Sequence, residues 1–199
     1  MKKPWHHGCF RDASNGDDGP LVLKLGGSLL GLRDWPWLID AIVTTAGDRP
    51  LSIVVGGGSL VDGLPAIDAA ALQDSKLMHE LAVDAMHLTA RIVSQTVGLP
   101  ISAKPARAAH ACVLDVPLWL LENDRGSRLP IGWHVTSDSI AAHVADRCDA
   151  GLLLAKPVPP PAGSEDASLE SLAEAGWVDP FFPTAAARLD QIRWAAPTV

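Results

Sequence analysis

Apolar residues along this chain come in two arrangements: short unbroken runs, and longer stretches in which they return every three or four residues. Leu21 to Leu25, Leu51 to Val55 and Gly151 to Ala155 are of the first kind, bounded by glycine, proline or polar residues, which predicts strands buried on both faces. Ala111 to Leu114 and Pro117 to Leu121 read as two further strands, Glu122 to Arg128 as a polar turn, and Leu189 to Ala195 as a closing strand. The second arrangement predicts helices. Trp35, Leu38, Ile39, Ile42 and Val43 recur at helical spacing across Asp34 to Ala46, with Asp34 as N-cap candidate and Pro36 in the first turn. Leu77, Met78, Leu81, Ala82, Ala85, Leu88, Ile92 and Val93 mark the longest helix, Ser75 to Val97. Its outer face is a surface for a second subunit, so a homo-oligomer is expected. A helix starting at Asp138 behind Thr136 or Ser137, and one over Ser168 to Ala175, complete the pattern.

Two of the strands end in glycine. Leu25 is followed by Gly26, Gly27 and Ser28, and Val55 by Gly56, Gly57, Gly58 and Ser59, about 30 residues later. That repeat fits a right-handed βαβ unit, which puts both turns at the carboxyl ends of parallel strands, where open α/β sheets bind their ligands. A bare backbone beside one cation, Lys24, is what a phosphate needs. The spacing is not that of a Walker A loop. Asp138, in the first turn of its helix, is suited either to orient the lysine or to coordinate Mg²⁺. Lys104, Arg107 and Arg125 are further cations available to an anion, although loop charges are usually solvated. His79 and His87 share a broad side of the long helix and read as solvated or partner-facing.

Length and charge narrow the rest. At 199 residues and 48% hydrophobic, the chain suits one domain, 21–199, after a flexible leader, 1–20, that shows no period. A net charge of −7 gives no general basic field, so no nucleic-acid partner is expected. Cys9, Cys112 and Cys148 have no paired spacing, and His6 and His7 beside Cys9 lack further ligands, which points to a reducing cytoplasm and no metal site. No apolar run reaches the roughly 18 residues of a membrane span, so no membrane partner is expected. Pro157 to Ser164 is a loop, and Gly176 to Pro183 carries three aromatics between prolines as a hydrophobic plug.

Taken together, Leu23-Lys24-Leu25-Gly26-Gly27-Ser28, Val54-Val55-Gly56-Gly57-Gly58 and Thr136-Ser137-Asp138-Ser139-Ile140-Ala141-Ala142 resemble the amino acid kinase superfamily, the group of aspartokinases and bacterial uridylate kinases. The resemblance implies an α/β fold, a three-layer αβα sandwich around a mainly parallel sheet, binding ATP with Mg²⁺. It implies Lys24, Asp138 and Lys156 as catalytic residues, with Lys156 the candidate second lysine. Gly26, Gly27, Ser28, Thr136, Ser137 and Asp138 would hold the nucleotide; Gly56, Gly57, Gly58 and Asp62 would hold a small-molecule phosphate acceptor. Within the superfamily the long helix, the Trp133 to Ala142 stretch and the late aromatic segment look most like the short kinases of methanofuran-type cofactor biosynthesis, which convert 5-(aminomethyl)-3-furanmethanol phosphate to its diphosphate. A carboxylate or carbamate kinase making an acyl phosphate, and a noncatalytic nucleotide- or oxyanion-binding protein of the same fold, are the alternatives. The chain departs from most relatives after Lys156, where prolines replace an Asp-Gly loop.

Overall fold

Five-residue apolar runs become the centre of one sheet. The computed structural model describes residues 4–12, 19–108, 110–123, 129–163 and 167–198. Its strands are β1 (Trp5–Arg11), β2 (Leu21–Leu25), β3 (Leu51–Val55), β4 (Ile101–Ser102), β5 (Ala111–Leu114), β6 (Gly151–Ala155) and β7 (Ile192–Pro197), in the order β1-β7-β6-β2-β3-β5-β4. All neighbours pair in parallel except β1 with β7. From β2 the chain moves outward through β3 to β5, then crosses back to lay β6 and β7 on the other side. The order therefore reverses between β2 and β6, where Lys24 stands opposite Leu154 and Leu25 opposite Ala155. Ligands of open parallel sheets bind at such a reversal.

Helices α1 (Trp35–Thr45), α2 (Leu64–Ala71), α3 (Ser75–Val97), α4 (Val116–Asn123), α5 (Ser137–Cys148), α6 (Leu169–Glu174) and α7 (Phe182–Ala185) cover the sheet. Side chains alternate between its faces. Val22, Val54, Leu114, Leu152 and Leu154 pack with α5, Trp119 and Phe182; Leu23, Leu25, Ile53 and Val55 pack with α1 and with Ala90 and Val93 of α3. Ser139, Ala141 and Ala142 of α5 are fully buried, so small residues do let that helix press onto the strands. The result is the three-layer αβα sandwich that the sequence implies. No helix among the described residues is long and apolar enough to cross a membrane.

Three expectations need correction. Pro117 to Leu121, expected as a strand, lies in α4. Asp115 starts this helix, accepting from Leu118 N through Oδ1 and from Trp119 N through its carbonyl, and Pro117 suits a first turn that needs no amide donor. Val116 and Trp119, three apart, then turn inward together. The closing strand runs over Ile192–Pro197, not 189–195. Within the 1–20 leader, residues 5–11 form β1, an edge strand whose polar outer positions hid its single buried anchor. That anchor is Trp5, 3% exposed, whose Nε1 donates to Leu38 O at 2.9 Å. Of the expected 122–128 turn, Glu122 and Asn123 belong to α4, and residues 124–128, with Arg125, lie outside the described residues.

If β1 is part of the folded unit, Trp5→Ala should lower unfolding free energy by about 3 kcal/mol or more in urea titration, the usual cost of emptying a buried aromatic site. Unchanged stability would return residues 5–11 to the status of a leader.

Candidate functional site

Lys24 is the fourth residue of a fully buried strand, so its position on the α5 face forces an ammonium beneath the sheet's carboxyl edge. What makes this tolerable is Asp138, 4% exposed, in the first turn of α5. Lys24 Nζ lies 2.7 Å from Asp138 Oδ1, and Lys156 Nζ, directly after β6, donates to Asp138 Oδ2 at 2.8 Å. Two cations from the two strands at the reversal thus share one carboxylate. Burial alone would raise the Asp138 carboxyl, but the two ammoniums outweigh it and hold it below the usual range. Burial and the Lys24 charge together push Lys156 down to about 8, against the opposing pull of Asp138 and Asp179. Lys156 also donates to the Trp177 carbonyl and sits 4.8 Å from the Trp177 ring centroid, a cation–π contact. Oδ2 of Asp138 accepts a hydrogen bond from Lys156, while Oδ1 meets the Lys24 ammonium as an ion pair without hydrogen-bond geometry, so one carboxylate orients both lysines.

The glycine turns meet above this pair. After β2 the chain makes a 3₁₀ turn at Gly27–Gly31, and after β3 another at Gly58–Leu60. A Cβ on Gly27 would run into the backbone of Gly56 and Gly58, and Gly58 itself has φ +56, so the two turns interlock only as glycine. Gly26 N donates to Ala155 O at 2.8 Å and Gly56 N to Leu25 O at 2.9 Å, so those amides extend the sheet instead of facing a ligand. The amides of Gly27, Ser28, Gly57 and Gly58 have no acceptor among the described residues. With the N-terminus of α5 beside them, they make a donor-lined concavity suited to an anion.

These groups open into a cleft of about 720 Å³. Lys24, Lys156, the glycines of both turns, Ser28, Asp62, Thr136 and Ser137 line it, while Asp138 lies beneath. Trp35, Val61, His79, Met86 and Trp133 line it as well. Burial lowers His79 below the usual imidazole range. His87 is elsewhere, with Nδ1 3.1 Å from Asp115 Oδ2, and Lys104 and Arg107 line a groove with Leu21, Ser52 and Ala111, at the amino ends of the strands. They do not reach the cleft.

The sequence reading missed Asp179. The helix behind Thr136 begins at Ser137, and its cap is not the Thr136 or Ser137 side chain. Asp179, 6% exposed, accepts through Oδ2 from Thr136 N at 3.0 Å, Thr136 Oγ1 at 2.8 Å and Ser139 N at 3.0 Å. Through Oδ1 it accepts from Ser139 Oγ and from Phe181 N. An aspartate 40 residues away is doing the work of an N-cap, which no local pattern announces.

The fold is that of an amino acid kinase-like αβα sandwich. Among solved structures, the chain is similar to uridylate kinase from Archaeoglobus fulgidus, with a TM-score of 0.61 and 18% identity over 90% of this chain and 91% of that one. It is also similar to aspartate kinase from Synechocystis, with a TM-score of 0.58 and 16% identity over 90% of this chain, spanning 40% of that protein. No family model matches the sequence, and no curated protein matches it.

The Lys156 value sets opposite pH trends for ligand and fold. Its ammonium is present below about pH 8 and lost above it, so inorganic tripolyphosphate should bind more weakly by up to tenfold per pH unit above 8 in calorimetry. Stability should move the other way. Because 8 is below the unfolded value of 10.5, the unfolded chain holds more protons between those limits, and this lysine's contribution to stability rises with pH across that window. Lys156→Met should flatten both trends; a variant that keeps the binding trend would remove Lys156 from the anion site.

Proposed function

We propose that this chain is an ATP-dependent phosphotransferase whose acceptor is a small phosphate monoester, 5-(aminomethyl)-3-furanmethanol phosphate, converted to its diphosphate. The observation that carries the reading is the pair of lysines on one buried carboxylate below four uncommitted amides. Two cations meet at the sheet's reversal, in a protein whose net charge is −7, balanced by the buried carboxylates of Asp138 and Asp179. The lysines line the cleft and the two carboxylates do not, so an anionic reaction fits the cleft. Phosphoryl transfer needs positioning and charge stabilisation more than covalent chemistry, and the cleft offers those without requiring a histidine or cysteine nucleophile.

The residues divide the task. Lys24 and Lys156, fixed by Asp138, are placed to neutralise charge on the moving phosphoryl group. The Gly27 and Ser28 amides, with Ser137 beside them, would hold the nucleotide phosphates, and the Gly57 and Gly58 amides the acceptor. ATP, when bound, supplies the phosphoryl group. Asp138 faces both lysines, so Mg²⁺ enters the proposal as an ion accompanying the nucleotide, whose phosphate oxygens are ligands it prefers. Trp133, Trp35 and Met86 give the cleft an apolar wall for a small ring, and Asp62 is the carboxylate available to its aminomethyl group.

Purified protein given ATP, Mg²⁺ and the furan phosphate should release ADP and form the diphosphate, and that product should give no hydroxamate with hydroxylamine. Hydroxamate formation with a carboxylate acceptor would instead identify an acyl-phosphate kinase. Lys24→Ala should reduce turnover on the order of 10²- to 10³-fold, the cost of losing one charge partner of the transition state. Turnover unchanged in that variant would exclude Lys24 from the chemistry.

A further inference from the structure

The buried carboxylate of Asp179 has no part in the division of labour above, yet it touches both elements that build the lysine site. Through five donors it binds the first turn of α5, which presents Asp138 to the lysines, and Phe181 N of the segment that follows Trp177. That segment is the one whose Trp177 carbonyl receives Lys156 Nζ. Lys156 is therefore held from two directions, by Asp138 and by Trp177, and Asp179 ties the two holders together. We propose that Asp179 is a positioning residue of the lysine site: it fixes Asp138 and the Trp177 carbonyl relative to each other and faces Lys156 as a second negative charge. The role rests on the phosphotransfer reading for its kinetic consequence; its link to Lys156 rests on the hydrogen bonds of Asp179 to α5 and to Phe181 N, with its charge acting on the ammonium.

A cap alone and a positioning charge differ in what happens to the Lys156 proton. The charged groups facing this ammonium are Lys24 from β2, Asp138 from α5 and Asp179 from the 177–181 segment. Lys24 opposes the proton; the two carboxylates favour it. Removing the Asp179 charge while keeping its shape should make the proton leave at lower pH.

The test is a pH titration of Trp177 fluorescence, read as the difference between each protein and the same protein carrying Trp177→Phe. The absence of tyrosine keeps phenol ionisation out of the alkaline range. The parent protein should show a midpoint near 8. Asp179→Asn should shift that midpoint to lower pH, and kcat/KM at pH 7.5 should fall by up to about threefold, recovering as the pH is lowered toward 6. Ser139→Ala removes one donor to the same carboxylate but leaves the charge, so it should lower Tm without moving the midpoint. If Asp179→Asn lowers Tm alone, with midpoint and pH profile unchanged, Asp179 is a helix cap only and the proposal fails. Should Asp179→Asn not fold, Asp179→Glu moves the charge by one methylene, and an unmoved midpoint with unchanged kcat/KM would overturn the proposal equally. A parent protein that titrates near 8 but turns over no furan phosphate would refute the acceptor, while the fluorescence arm would still decide the role of Asp179.

Discussion

Everything in the site depends on the carboxylate of Asp138 lying between two ammoniums. Taking charges out of water is expensive, and a buried ion pair seldom returns more than it costs. An apolar trio of similar volume would serve the fold at least as well. Lys24 occupies a strand position whose neighbours in register, Val54 and Leu154, are fully buried. Such a constellation makes physical sense where ammoniums are held ready for a ligand, and strongly perturbed groups cluster at such places. The topology supplies the means: only at the reversal between β2 and β6 do two adjacent strand ends deliver side chains to one point beneath a helix N-terminus.

The glycine turns obey a related constraint. Each is read most simply as a tight turn, but the contact that requires glycine is between them. Gly27 lies so close to the Gly56–Gly58 backbone that no side chain fits. Space for a Cβ on Gly56 is closed by Ser137 Oγ at 2.8 Å, which brings the start of α5 into the same junction. Three separate stretches of sequence are thus locked together by absent side chains. Their uncommitted amides share one concavity because the backbones touch. The two amides that extend the sheet, those of Gly26 and Gly56, fix where the remaining ones can be.

Much of this was legible in the sequence because it is local. β2, β3, β5 and β6 are apolar runs bounded by breakers, and α3 follows its period from Ser75 to Val97. Lys24, Asp138 and Lys156 each occur next to an element end that can be recognised, so their convergence follows once the sheet is parallel. What was not legible depends on distance or on short length. The run from Val116 to Leu121 is too brief for two and 3.6 to be told apart, and Asp115 decides the outcome. β1 shows alternation too weak to notice because it lies at an edge and buries little besides Trp5. Asp179 stands in an aromatic stretch that reads as packing, and its five donors include residues 40 and 43 positions away. The nearest available signal was an acidic residue inside an otherwise apolar plug, since a carboxylate is rarely buried without partners.

The proline run after Lys156 has a mechanical part in the structure. Trp177 Nε1 donates to Val158 O at 3.2 Å, tying the run to the same segment that receives Lys156 and precedes Asp179. Prolines limit the backbone freedom of this strap, so less entropy is lost in keeping it there. A glycine-containing loop at this position would leave the Lys156 ammonium at the base of a mobile connection. Here it stands between β6, whose register fixes its backbone, and a stiff strap pinned to Trp177. Lys156 N donates to Ala195 O at 3.0 Å, so the backbone of this lysine is fixed from within the sheet while its ammonium is fixed from the strap and the 177–181 segment outside it.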